Sequence, residues 1–433
     1  MNKKNSKKNL VLFTSIYPQF GKSVKVLKKT TEGKKYRYGV LYKNDPKSEV
    51  QRSNLDLYDV TIKCNPDSPK SIITALKPYR DDIVAMSCRG DMNIPIFQKI
   101  IPYLPYLKTP TTDSLDWSTN KLKMRQRFMA YDSRITPKYK LVKDATLKTI
   151  KELENLIGFP MVVKPIGLST SLLVNISYHH EELEMTLKKV LRKIKSSHKE
   201  NNGRAEPRIL VEQFIDGDMY SVDAHVGSRG KIEFNPFVQI KTGRNVGFDD
   251  FFAYQTITPS NLNKNSIEDA QEVSRKAIRA LGLRSTTAHV ELLKTEKGWK
   301  IIEVGPRMGG FRDEMYKLSY DTNLLLNDIL TRIPNKKIIL PQKVQGHTAV
   351  LKVYPKKEGY ITKLKGIKKS QLLRSFHSIN IKKKIGDRAT HAKHGGKDIF
   401  NITFFNKERS KLLADIRRFE QMLEVETQQE RLN

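Results

Sequence analysis

His289-Val290-Glu291 is followed, after eleven residues, by Glu303-Val304-Gly305-Pro306-Arg307-Met308-Gly309-Gly310. Ser285 to Leu293 reads as a strand, and so does Trp299 to Val304, with the turn-like Thr295-Glu296-Lys297-Gly298 between them. The spacing predicts a β-hairpin. With its turn centred near Lys297, Glu291 lies opposite Glu303, and directly opposed residues leave the same face of a sheet. Opposed like charges destabilise a sheet, by about 3 kcal/mol at about 5 Å with an effective dielectric of about 20. A hard divalent cation offsets that repulsion, because Mg²⁺ prefers one or two carboxylates plus phosphate oxygens to an all-protein cage. Glu291 and Glu303 are therefore candidate metal ligands, although two unrelated acids on a solvated hairpin would look the same. Arg307 favours the metal reading. It is a bidentate anion binder four residues after Glu303, and Gly309-Gly310 beyond it permit close backbone approach.

The chain of 433 residues suffices for two or three domains with ample core. A hydrophobic content of 38% fits a globular protein, and no apolar run approaches the roughly 18 residues of a membrane span. Leu10-Val11-Leu12-Phe13, after the basic start, is too short for a signal-peptide apolar region of about 7 to 15 residues, so cytoplasmic residence is expected. Cys64 and Cys88 lack CxxC or histidine spacing and read as small buried side chains. The net charge of +33 invites a polyanionic partner such as nucleic acid. No RNP-like or zinc-finger motif supports that partner, and the lysines are spread along the whole chain, which a solvated surface explains equally well.

Along residues 9 to 110, short apolar strands (Leu10 to Phe13, Tyr38 to Leu41, Val60 to Ile62, Ile83 to Met86) alternate with helical stretches at Ser71 to Leu76 and Ile94 to Ile101, a small α/β domain. No GxGxxG is present, and Gly21-Lys22-Ser23, with Ile16 where a phosphate loop needs glycine, reads as a helix start. Arg89-Gly90-Asp91 reads as a loop after a strand end, a place from which a substrate cleft is lined in α/β sheets. Pro110 to Ser118 reads as a linker or helix start, and Asn120-Lys121 opens a helical stretch through Met129. Gly158 to Pro165 is an apolar strand ending in Lys164, whose ammonium must meet an anion or reach back to solvent. The following loop, Gly167 to Ser171, has backbone and hydroxyl donors suited to phosphate. Arg208 to Gly217 is a strand running into a turn before the strand Tyr220 to Val226. Ser266 with Asp269 suggests a capping box for a helix that Gly282 ends. Strands return at His347 to Tyr354, Tyr360 to Leu364 and Asp398 to Phe405. A helix over Glu408 to Glu426 carries the core stripe Leu412, Leu413, Ile416, Phe419, Met422 and Leu423.

Taken in order, Asn120-Lys121, Val163-Lys164-Pro165, Val211 to Gly217, Glu291, and Glu303 with Arg307 resemble the ATP-grasp enzymes. Within them the chain most resembles the carboxylate-amine ligases that include the L-amino acid ligases, over about residues 10 to 400. The resemblance implies an ATP-grasp fold of α/β and α+β class: an N-terminal pre-ATP-grasp α/β domain at 1–115, a nucleotide-binding unit of two subdomains at 116–335, and a C-terminal α+β lid at 336–433. It also implies roles for the matching residues. Lys121 and Lys164 contact ATP phosphates, with Lys164 near the adenine end and Ser171 in the phosphate loop. Glu212 accepts from the adenine amino group, Gln213 to Ile215 complete the adenine contacts through their backbone, and Asp218 is the nearest acid for the ribose. Glu291 and Glu303 hold Mg²⁺, with Mn²⁺ as an alternative ion, and Arg307 steadies the transferred phosphoryl group. The implied activity is amide formation from a small-molecule carboxylate and an amine through an acyl phosphate.

Three positions depart from the family pattern. Gly305 stands where an Asn ligand is usual, Met219 where an acid holds the ribose, and Leu173 where the phosphate loop commonly has Gly. They keep two alternatives open: a ligase acting on a protein or polymer end, and a nucleotide- or nucleic-acid-binding protein without turnover. Arg312 and Glu314 are candidate readers of an amino-acid-like substrate or a structural surface pair. His289, two residues from Glu291 on one strand face, is either a neighbour of the metal or a packed core histidine.

Overall fold

The computed structural model describes residues 9–14, 18–43, 55–168, 171–200 and 206–430. The first 110 residues form a parallel sheet of Leu10–Thr14, Arg37–Tyr42, Val60–Lys63 and Ile83–Cys88, with spatial order third, second, first, fourth. The central strand Leu10–Thr14 is buried at every position because both faces of the sheet are covered. Leu10, Leu12 and Met86 pack on one side with Ile72, Leu76 and Phe97 from the helices Pro69–Leu76 and Ile94–Ile100. Val11, Phe13 and Tyr38 pack on the other side with Leu325, Ile329 and Leu330 from the helix Leu324–Arg332. A helix from far along the chain thus completes the N-terminal core. The helix containing Gly21 begins at Pro18, earlier than expected, and Ile16 lies outside the described residues.

The stretch read as linker or helix start is the helix Thr112–Thr119, capped by the Thr111 hydroxyl. Asn120 ends it and caps the next helix, Lys121–Tyr131, by accepting from the Leu122 and Lys123 amides. An antiparallel sheet follows, ordered Tyr139–Val142, Ile209–Gln213, Met161–Pro165, Asn175–Ser177, and backed by the helices Leu147–Leu156 and His180–Glu200.

The largest sheet has nine strands. Gly298–Gly305 forms one edge, followed by Thr286–Thr295, Asp218–Val226, Val238–Thr242, Ala253–Thr258, His347–Val353, Phe400–Asn406 and Phe376–Ile381, and the ninth strand, Ile232–Phe234, pairs with Asp218–Val226 off this path. Our division at 335 is therefore one of chain segments, since His347–Val353 pairs directly with Ala253–Thr258. Two expectations need correction. The helix Lys264–Ala280 is capped by Asn263, not Ser266, whose hydroxyl instead accepts from Lys294. The terminal helix spans Arg409–Met422, with Leu412, Ile416 and Phe419 buried as expected. Beyond it Glu424–Gln428 is a strand, because the apolar stripe ends and the backbone finds a partner in Gly359–Lys365.

Candidate active site

The hairpin forms from Thr286–Thr295 and Gly298–Gly305, and Glu291 is the partner of Glu303. The route to that register differs from the one expected. The strands close on Thr295 opposite Gly298, a two-residue turn that by strict pairing would set Glu291 against Ile302. An irregularity after Leu292–Ile301 inserts Ile302 as an extra residue and restores the opposition. Burial follows the same switch: Trp299 and Ile301 face the core on one side of it and Val304 on the other.

Arg125 holds this bulge. It projects from the helix that carries Lys121 and donates to the carbonyls of Ile301 (3.3 Å) and Ile302 (2.7 Å). Its Nε and Nη2 also donate to the two oxygens of Glu212, at 2.8 and 3.2 Å. Lys164 Nζ lies 2.6 Å from Glu212 Oε2. The anion that Lys164 requires is thus Glu212, and the alternative of reaching solvent is set aside, its side chain being 9% exposed. Burial would raise the Glu212 carboxyl, but Arg125 and Lys164 overcome it and hold the group at about 2. Burial, with Arg125 adding repulsion, depresses Lys164 to about 8 despite Glu212. Of the two cations sharing one carboxylate, lysine is the one that yields its proton.

Each hairpin carboxylate already has cationic neighbours. Lys121 Nζ lies 3.6 Å from Glu303 Oε2 and donates to the Leu168 carbonyl at 2.7 Å, so it ties the strand of Glu303 to the loop that begins at Gly167. Burial works against ionised Glu291, but His289, Arg307 and Arg312 outweigh it and lower its pKa. Protein cations therefore relieve part of the repulsion that the sequence assigned to a metal alone. The two side chains remain 33% and 35% exposed, and two accessible carboxylates on one face are the hard oxygen donors that Mg²⁺ takes.

His289 is both packed and adjacent to the carboxylates. Its Nδ1 donates to Asp223 at 2.7 Å, and its Nε2 is 3.4 Å from Glu291 Oε1. Burial would lower its pKa, yet Asp223 and Glu291 raise it. Asp223 also accepts from the Gly309 amide at 3.1 Å. A Cβ on Gly309 would lie 2.5 Å from His289 Nδ1, so the close approach expected of this glycine is real.

Arg307 meets Asp91 in a bidentate pair, Nε to Oδ1 at 2.9 Å and Nη2 to Oδ2 at 2.7 Å, and its Nη1 donates to the Met308 carbonyl. Asp91 follows the carboxyl end of Ile83–Cys88, where open α/β sheets place ligands. Arg312 and Glu314 do not act as a pair. Arg312 donates to Ser221, the strand partner of Glu291, whereas Glu314 accepts from Ser378 and Thr403. Lys352 points at the same region. Its ammonium is 5.5 Å from the Phe311 ring, and its pKa is lowered first by burial, with Lys382 and Arg312 adding to that. Asp398, the acid nearest to it, is engaged by Lys382 and Asn401. Arg312 and Lys352 thus add positive charge near Glu291.

At the nucleotide end, the Gln213 and Phe214 amides are committed to the Lys138 and Pro160 carbonyls, whereas the Ile215 amide makes no backbone hydrogen bond among the described residues. Asp218 is exposed at the start of its strand, with Met219 half-buried beside it. Ser171 and Leu173 adopt φ of 60° and 58°, so Leu173 occupies a left-handed conformation that glycine would take without strain.

The reading of the sequence missed Arg125, Asp223 and Lys352, and it gave Asp91 as part of a cleft-lining loop without its partner Arg307. Lys352 carried the signal that revealed Lys164, a single charge in an apolar strand. Asp91, Arg125 and Asp223 gain their meaning from partners 216, 87 and 66 residues away.

Comparison with known proteins agrees with this geometry. The ATP-grasp domain family matches residues 157–314. An uncharacterized protein of Sinorhizobium fredii is 29% identical over 224 residues, covering 51% of this chain and 42% of that protein. Alanine–anticapsin ligase of Bacillus amyloliquefaciens is 26% identical over 176 residues, covering 38% of this chain and 37% of its own. The chain thus spans less than half the length of these curated relatives. The crystal structure of L-amino acid ligase from Bacillus licheniformis superposes with a TM-score of 0.74 at 16% identity, covering 98% of this chain and 99% of that one. No helix among the described residues is long and apolar enough to cross a membrane. The fold is the ATP-grasp fold across nearly the whole chain, and residues 157–314 form its ATP-grasp domain.

Proposed function

We propose that the protein is a Mg²⁺-dependent ATP ligase that joins a small-molecule carboxylate to an amine in the cytoplasm. The observation that carries this reading is the bulged register that sets Glu291 against Glu303 beside Lys121, Arg307 and Arg312. A carboxylate oxygen of the substrate attacks the γ-phosphorus of ATP, and the bond to the ADP oxygen breaks. The amine nitrogen then attacks the acyl carbon, phosphate leaves with the C–O electrons, and the amine gives up a proton.

Glu291 and Glu303 would hold the ion, which supplies charge neutralisation at the β- and γ-phosphate oxygens. Lys121, Lys164 and the loop containing Ser171 would meet the phosphates. Three donors occupy Glu212, and a carboxylate has about four lone-pair sites, so one direction remains for the adenine amino group. The Ile215 amide and Asp218 would serve the base and ribose. Arg307, whose outer N–H groups are not used by Asp91 or Met308, would face the transferred phosphoryl group. Arg312 and Lys352 would receive the substrate carboxylate.

The test replaces the amine with hydroxylamine, which intercepts an acyl phosphate as a hydroxamate. Across a panel of small carboxylates, hydroxamate and ADP should form together. Glu303→Gln should abolish both while circular dichroism stays unchanged. Failure of every carboxylate to stimulate ADP formation, or wild-type hydroxamate yield from Glu303→Gln, would overturn the reading.

A further inference from the structure

Away from the nucleotide cleft, the C-terminal segment brings together Glu358, His391 and His394, one ligand atom from each lying within 4.8 Å of the others. We propose that these three residues form a binding site for a borderline transition-metal ion of the Zn²⁺ class. The local chain is built to present them. Ala392–His394 is a 3-10 turn with His391 as its N-cap, and residues three apart on such a turn share a face. Gly395 closes the turn at φ 84°, and at Gly396 a Cβ would lie 1.9 Å from the Thr390 carbonyl oxygen.

The hydrogen bonds prepare the donors. His391 Nε2 lies 3.1 Å from the Pro355 carbonyl, which can only accept, so the proton sits on Nε2 and the Nδ1 lone pair is left for a ligand. That is the carbonyl-oriented imidazole common at metal sites. The His391 ring is also braced edge-on by Phe248, with centroids 6.1 Å apart. Glu358 Oε1 is fixed by the His391 amide at 2.7 Å and accepts from His394 Nδ1 at 2.8 Å. Binding a cation at His394 Nδ1 calls for the neutral imidazole with its proton on Nε2, so the proton now shared with Glu358 moves to Nε2 by exchange with solvent and both lone pairs face the ion.

Tetrahedral Zn²⁺ needs its ligand atoms about 3.4 Å apart, and His394 and Glu358 are exposed enough to close that gap. Two imidazoles and one carboxylate favour Zn²⁺ over Mg²⁺. The turn also bears on the phosphate loop, because the Lys393 carbonyl accepts from the Leu173 amide at 2.9 Å.

The test uses full-length protein freed of metal by chelation. In a Glu303→Gln background, which removes one of the hairpin carboxylates, Zn²⁺ should bind with 1:1 stoichiometry, and Co²⁺ should give a visible d–d band. Both signals should disappear in His391→Ala and in the exposed-site variant His394→Ala, the latter with an unchanged melting temperature. No stoichiometric Zn²⁺ binding, or a signal that persists in both histidine variants, would overturn the proposal. Ligase activity plays no part in this readout, so the proposal stands or falls separately from the function above.

Discussion

Arg125→Met tests whether a buried arginine that touches neither metal nor phosphate sets the position of Glu303. Arg125 is 1% exposed and makes four hydrogen bonds, two to Glu212 and one each to the Ile301 and Ile302 carbonyls. Removing one partner of a buried ion pair costs about 3 to 5 kcal/mol. Lys164 remains on Glu212 at 2.6 Å, which draws the loss toward the lower figure, while each orphaned carbonyl adds about 1 kcal/mol. Methionine fills most of the vacated space and so adds no large cavity term, and the expected destabilisation is about 5 kcal/mol. Equilibrium urea unfolding followed by Trp117 and Trp299 fluorescence reads it, and Trp299 lies on the affected strand. Without its donor the bulge can relax, and a one-residue slip turns Glu303 to the other face. The Mg²⁺ concentration for half-maximal ATP binding should therefore rise at least tenfold, with Arg125→Lys intermediate. Destabilisation under about 1 kcal/mol together with an unchanged Mg²⁺ requirement would refute the reasoning.

Three further outcomes are expected. Lys164 has its pKa depressed to about 8. ATP phosphates favour its charged form, so ATP affinity should be flat below pH 8 and fall by about tenfold per unit above it. Lys164→Arg should flatten that profile, and a wild-type dissociation constant that does not change across the alkaline range would contradict the phosphate role. Gly305→Asn should fit, since the nearest heavy atom to an added Cβ is Arg307 Cζ at 3.5 Å. It should lower the Mg²⁺ requirement several-fold, and a raised requirement in Mg²⁺ titrations would show that no ligand is missing there. Asp91→Asn weakens the bidentate hold on Arg307, so kcat should drop about tenfold, as expected for a lost orienting contact, with KM for ATP unchanged. A fall confined to KM in steady-state kinetics would assign Asp91 to binding instead.

Much of the scaffold was legible because local periodicity encodes it. The N-terminal strands appear as short apolar runs, and the helix Lys121–Tyr131 begins where Asn120 announces a cap. The strands Val238–Thr242 and Ala253–Thr258 went unread: the first alternates over five residues only, and the second carries Gln255, Thr256 and Thr258, polar residues buried by their central place in the large sheet. Ser266 was mistaken for a cap because its pattern fits one, whereas Lys294, far along the chain, claims its hydroxyl.

The sequence alone determined which residue types meet on the hairpin, since side chains alternate along a strand and a short turn limits the possible registers. It also placed Lys164 at the end of a buried strand, where an unpaired ammonium is unstable. Only the tertiary structure decided that Glu212 is its partner, that Arg125 grips the bulge bringing Glu303 to face Glu291, and that Asp91 of the N-terminal sheet holds Arg307. The physical reason is that periodicity acts over a few residues, whereas a buried charge selects its partner by three-dimensional proximity, which spacing along the chain does not encode.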